Sequence, residues 1–169
     1  MSKMNTKTLA TLGVLLATEI VLSRFLSIST WITKIGFSFV PVVLAAMLYG
    51  WWGAAAVAAL GDFLGATLFP IGPYFPGFTL TAALTGGIFG LLLYRKKSVA
   101  NTVIAVLITQ LVLSLLLNAY WFHVLNGSPF MELLATRVAQ VVLMSVVQFV
   151  TITYVLYPLT DRLKGSVAA

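Results

Sequence analysis

Apolar residues run along this chain in long, almost unbroken blocks, and polar residues gather in short clusters between them. A helix needs roughly 20 apolar residues to cross a bilayer, and the blocks predict spans at roughly 7–27, 39–50, 52–69, 79–95, 98–125 and 131–158. The stretch from Phe37 to Phe69 carries a single charge, Asp62, and as one helix would be about 50 Å long, so it must fold back. The GWWG run from Gly50 to Gly53 is the expected break, with flexible backbone and two tryptophans suited to a membrane interface just after Tyr49. Pro41 fits the first turn of the helix before that break, and Pro158 with the polar TDRLKG tail is expected to close the last helix. The pattern therefore predicts an all-α, polytopic membrane protein: six transmembrane helices in one domain spanning 1–169, without an internal repeat.

Composition sharpens that picture. The chain has 169 residues, 60% of them hydrophobic and 8% charged, which leaves almost nothing for a domain outside the membrane. Its first apolar run is interrupted by Glu19 and Arg24 and followed by five more, so it reads as a retained span rather than a cleaved signal. Lys3 and Lys7, then Arg95, Lys96 and Lys97, then Arg162 and Lys164 fall at ends that an even number of crossings places on one side. The positive-inside rule makes that side, with both termini, cytoplasmic, and the chain a multi-pass protein of the cell membrane. No nucleic-acid partner is expected.

An enzyme is not expected. There is no cysteine, the one histidine, His123, cannot build a metal site alone, and neither H-E-x-x-H nor G-x-S-x-G occurs. The G-x-x-x-x-G-K-[ST] phosphate loop is absent too, so ATP hydrolysis would belong to other chains.

Three basic residues remain in the outer half: Arg24, Lys34 and Arg137. Arg24 and Lys34 could snorkel to outer headgroups, and Arg137 could pair with Glu132 or Asp62. A charge deep in a helix costs roughly 2.5–3.5 kcal/mol on insertion scales, and three together read as a receptor for an anion arriving from outside. Asp62 could pair with Arg24 or Arg137, be held neutral, or accept N–H donors from a ligand. Two polar stripes lie on otherwise apolar helices: Gln110, Ser114, Asn118 and Trp121, and Arg137, Gln140, Met144 and Gln148. Lipid would leave their amides unsatisfied, so both stripes should face inward. Gln110 and Gln148 are assigned to ordinary interhelical bonding, and Asn118, Trp121 and Arg137 to a ligand. The loop FPIGPYFPGFTL (69–80) joins prolines that stiffen it to Tyr74, Phe75 and Phe78, whose faces suit a planar ring, and Thr79 could cap the next helix or bond the ligand. Cations beside ring faces suit an aromatic carboxylate.

GDFLGATLFPIGPYFPGFTLTAALTGGIFGLLL (61–93), LLNAYWFHVLNGSPFMELLATRVAQ (116–140) and SRFLSI (23–28) together resemble the folate-family substrate-binding (S) components of energy-coupling factor (ECF) vitamin transporters. The likeness spans essentially the whole chain. It implies a six-helix receptor that captures folate outside and delivers it inward with a transmembrane coupling subunit and two cytosolic ATPases, which use the ATP; no cofactor is implied for this chain. Arg24, Lys34 or Arg137 would meet the carboxylates, Tyr74, Phe75, Phe78 and Trp121 would flank the rings, and Asn118 or Asp62 would address the pterin edge. The family's Ala-x-x-x-Ala docking pattern on the first helix has its nearest match in Gly13-x-x-x-Ala17, with Ala10 a turn earlier. Alternatives are the same role for pantothenate or another small vitamin, or an oligomeric channel suggested by Gly86, Gly87 and Gly90.

Overall fold

The structure, a computed structural model, describes residues 6–29, 34–70 and 72–167, without the side chains of 28, 29, 34 and 164–167. Lys3, the Lys34 and Lys164 side chains and the extreme termini lie outside that description. Among the described residues the elements are helices joined by short loops, apart from an antiparallel ladder of two residues per strand, β1 (Ile28–Ser29) with β2 (Lys34–Ile35), after the first helix. Helix α1 spans Thr6–Arg24, α2 Phe39–Leu68 and α3 Pro76–Leu93. A long rod follows, made of α4 (Val99–Leu107), a π-helical stretch (Ile108–Leu117) and α5 (Asn118–Asn126). The last rod joins α6 (Phe130–Thr151), a π-helical turn (Ile152–Leu156) and α7 (Tyr157–Val167).

Five of these rods are long and apolar enough to cross a membrane, and one of them is two crossings in succession. Within α2, Gly50 has φ 76° and ψ −162°, a backbone setting that favours glycine, at the start of the run where the sequence demanded a break. The reversal is visible in what the two halves touch. Phe39 and Ala66 line the same cavity, although a straight helix would hold them about 40 Å apart.

Glycines set the spacing around the second half of α2. The backbones of Trp51 and Ala54 lie where side chains at Gly90 and Gly86 would have to go, so α3 runs antiparallel against α2 at close range. Gly86 and Gly90 are thus consumed by packing inside the chain, which removes their support for an oligomeric channel; Gly87 has no neighbour within 4 Å. On the other side α1 runs parallel, with Leu12 at Gly53, Glu19 against Gly61, Arg24 against Gly65 and the Phe25 ring 5.2 Å from that of Phe69. The core, centred on Val43, Met47, Ala54, Phe89, Leu93, Ile152 and Leu156, fills the half of the bundle near Gly50.

Two of the helix ends that differ from the sequence expectation involve proline. The third helix begins at Pro76, not residue 79, because proline at the first helical position has a preset φ and no N–H to leave unsatisfied. The last helix does not close at Pro158 but runs on to Val167. Proline removes a backbone donor and crowds the preceding turn, and the wider π turn at Ile152–Leu156 lies directly before it. Beyond Pro158, Thr160 donates to the Leu156 carbonyl at 2.5 Å and to Met47 Sδ at 3.2 Å, tying the extension to the core. Both described ends of the chain therefore lie at the Gly50 end of the bundle.

Candidate ligand-binding site

A cavity of about 390 Å³ opens at the opposite end, within the range of small-molecule sites. Its walls come from α1, both halves of α2, the loop before α3, α3, and both long rods.

The α1 wall is charged. Glu19, only 7% exposed, and Arg24 both reach the cavity, and they cross α2 where Gly61 and Gly65 leave no side chain in the way. A Cβ at Gly65 would sit 2.7 Å from Arg24 Nε, and one at Gly61 would overlap the Glu19 carboxylate. Arg24 Nη2 points at the Asp62 main-chain carbonyl at 3.5 Å. The Asp62 carboxylate instead accepts from Thr79 Oγ1 at 2.8 Å, and the Tyr74 hydroxyl lies 3.2 Å from the same oxygen. Thr79 is thus a clip between α2, α3 and the loop rather than a wall residue.

Aromatic rings form the rim. Tyr74, Phe75, Phe78 and Phe122 all line the cavity, with Phe75 and Phe78 centroids 6.0 Å apart and Phe78 4.9 Å from Phe122. Trp121 stands behind them. Its ring packs on Phe75 at 5.6 Å, its Nε1–H donates to Thr81 Oγ1 at 3.0 Å, and the bare Gly77 gives the indole room against α3. The loop at the end of this rod is closed by Gly127 in the left-handed region (φ 65°) and by a 2.7 Å hydrogen bond between His123 Nδ1 and the Ser128 carbonyl, so His123 has a capping task.

The far wall carries the two polar stripes, turned inward as bilayer physics requires. Arg137, 4% exposed, has its guanidinium 5.3 Å from the Phe122 ring centre. Neither Asp62 nor Glu132 comes within ion-pair distance of it, so the pairings weighed from the sequence do not form. Arg137 Nε and Nη1, Asn118 Oδ1 and Gln148 Oε1 are buried without a hydrogen-bond partner among the described residues. Gln110 and Gln148, assigned from the sequence to interhelical bonding, line the cavity. Gln110 and Ser114 lie in the π-helical stretch, whose wider turn is a common feature of functional sites.

Of the sequence candidates, Arg24, Tyr74, Phe75, Phe78, Asn118 and Arg137 meet at one cavity, while Thr79 and Trp121 support it from behind. Lys34 contributes its backbone to the ladder beside this end of the bundle. Ala10, Gly13 and Ala17 lie on an exposed face of α1, away from the cavity. Sequence reasoning missed Glu19 and Phe122 as wall residues. The available signal for Glu19 was the Gly61-x-x-x-Gly65 pair, which marks where a neighbour must pass close.

Known proteins give this geometry a family. Residues 3–165 match the family described as ECF-type riboflavin transporter, S component. The chain is 40% identical over 147 residues to the folate transporter FolT of Clostridium novyi, covering 86% of this chain and 85% of that protein. It is 32% identical over 161 residues to FolT of Leuconostoc mesenteroides, covering 91% and 86%. A crystal structure of FolT bound with folic acid superposes with a TM-score of 0.84 at 34% identity, covering 90% of this chain and 93% of that one. The chain is a membrane protein of the transporter S-component class, not an enzyme, and it belongs to the S-component family of ECF-type transporters.

Proposed function

We propose that this chain is the folate-capturing S component of an ECF-type importer and that the cavity is where folate binds. One observation carries the reading: a buried wall of donors and acceptors without partners among the described residues, on Arg137, Asn118 and Gln148, faces a rim of rings, with a second arginine, Arg24, on the opposite side. A ligand that answers all of this needs a flat heterocycle with a polar edge and an anionic group. Folate has both. Riboflavin, named by the family description, has the flat polar ring but no carboxylate, and pantothenate has the carboxylate but no ring. Arg24 and Lys34 are the cations for the tail, and Tyr74, Phe75 and Phe78 the ring faces; Thr79 and Trp121 act by holding them.

The basic Gly50 end, with Arg95, Lys96, Lys97 and Arg162, faces the cytoplasm of the cell in this reading, and the cavity faces outward. The exposed Ala10, Gly13 and Ala17 face of α1 receives the coupling subunit, since small residues at that spacing let backbones approach closely. Two cytosolic ATPases complete the importer and consume the ATP, and this chain needs no cofactor. Equilibrium competition with purified protein in detergent tests the ligand: unlabelled folate displaces labelled folate, and riboflavin and pantothenate do not. Displacement by either of those at equal or lower concentration than folate would sink the assignment.

A further inference from the structure

The charges at the Gly50 end do not cancel. The acidic side chains of this protein are spent elsewhere: Glu19 and Asp62 line the cavity, Glu132 lies in the first turn of α6 at the cavity end, and Asp161 is paired with Lys97. No acidic side chain is left for Arg95 and Lys96, which stand exposed between α3 and α4. We infer that these two cations, with Tyr94 and the Trp51–Trp52 pair beside them, form a site for the headgroup of an anionic phospholipid. The inference uses only the membrane placement of the chain and is independent of the folate reading.

The loop that carries the cations is held in place before any ligand arrives. Asn101 Nδ2 donates to the Leu92 carbonyl at 2.9 Å and to the Lys96 carbonyl at 3.3 Å, so one side chain ties the end of α3 to the middle of the loop. The Ser98 carbonyl accepts from the Thr102 N–H at 2.9 Å and from the Tyr157 hydroxyl at 3.1 Å, and Lys97 is pinned to Asp161. The side chains of Arg95 and Lys96, by contrast, have no hydrogen bond or ion pair among the described residues. A fixed backbone that presents two unpaired cations loses little entropy when an anion settles on them.

Aromatic rings set the depth of this corner. The Trp51 backbone fills the space at Gly90, and the Tyr94 ring lies over Gly50, 3.4 Å from where a Cβ would be, so the tryptophans and the start of the basic loop adjoin. The two indoles stack with centroids 4.3 Å apart, Trp51 44% and Trp52 71% exposed. Tryptophan and tyrosine settle at the level of lipid headgroups, which puts Arg95 and Lys96 where phosphates lie. An acidic protein surface would answer the cations equally well, but it gives no reason for exposed indoles beside them. Each cation near an anionic leaflet strengthens attachment by about fivefold.

Brominated lipids test the site. The protein is placed in phosphatidylcholine nanodiscs that contain a minor share of brominated phosphatidylglycerol or, in a matched set, brominated phosphatidylcholine, and tryptophan emission is read. The anionic lipid is expected to quench more than the zwitterionic one, and the excess to vanish in Trp51→Phe/Trp52→Phe and to shrink at high salt. In Arg95→Gln/Lys96→Gln the phosphatidylglycerol needed for half the excess rises roughly tenfold or more. Arg162→Gln, which removes an exposed cation elsewhere at the same end, keeps the excess. Equal quenching by the two lipids in the wild type overturns the site. So does an excess that Arg162→Gln removes as fully as the double variant, because overall charge would then suffice. If the excess is missing and Arg95 and Lys96 are instead needed to retain a protein partner on purification, the corner belongs to that partner and the lipid site falls. A melting curve shows whether the double variant is folded; should it not be, the wild-type excess and its loss at high salt decide.

Discussion

The two ends of the bundle handle polar groups in opposite ways. At the Gly50 end most of them satisfy one another, the buried hydroxyls of Tyr49 and Thr153 excepted. The Thr102 and Tyr157 hydroxyls are hydrogen-bonded, Tyr157 also donates to the Ser98 carbonyl at 3.1 Å, and Asn101 Nδ2 donates to the Leu92 carbonyl at 2.9 Å. Lys97 is paired with Asp161. At the cavity end, Arg137, Asn118 and Gln148 carry buried atoms that no described residue answers. A buried polar group left alone costs free energy, and the sequence tolerates that cost only where something else supplies the missing partners. One end holds the fold together, and the other is finished by what it binds.

If that division is right, substitutions at the two ends separate binding from stability. The largest effect is expected from Arg137→Met: folate affinity falls by roughly 2–3 kcal/mol, the worth of charged hydrogen bonds. The melting temperature of the ligand-free protein stays level or rises, because a buried charge without a counter-ion is removed. A clear drop in ligand-free melting with unchanged folate titration would erase the contrast. Next comes Tyr157→Phe, which removes the hydroxyl shared with Thr102 and Ser98 and should cost about 1 kcal/mol in unfolding, with folate affinity within about twofold of wild type. The smallest is Asp161→Asn. Asp161 is itself largely exposed, so the loss is expected at or below about 1 kcal/mol in a denaturation series and to vanish at high salt.

Much of this division was legible in the sequence. The apolar blocks gave the spans, the excess length between Phe37 and Phe69 required a reversal, and the glycine–tryptophan run located it at Gly50. The inward direction of the polar stripes followed from the cost of an amide in lipid, and the proline-rich loop lies at the cavity. Other features depend on which helices become neighbours, and helical periodicity is silent on that. Glu19 reaches the cavity only because Gly61 faces α1. Trp121 and Thr79 look like ligand residues in one dimension but are drawn off by Thr81 and Asp62, from other helices. Gln110 and Gln148 lie far from the outer end in sequence, and the cavity reaches deep enough into the bundle to include both. The passage of the last helix through Pro158 was hidden as well, because the π turn that accommodates it has no residue signature.

The bare backbone at Gly61 also bears on attempts to toughen this receptor. Replacing glycine by alanine inside an exposed helix is a standard way to gain about 1 kcal/mol. Here an added methyl would strike the Glu19 carboxylate at Gly61 and the Arg24 guanidinium at Gly65, pushing two wall residues out of the opening they line. Gly87, with nothing inside 4 Å, is where an engineer can stiffen the scaffold without reshaping the vestibule.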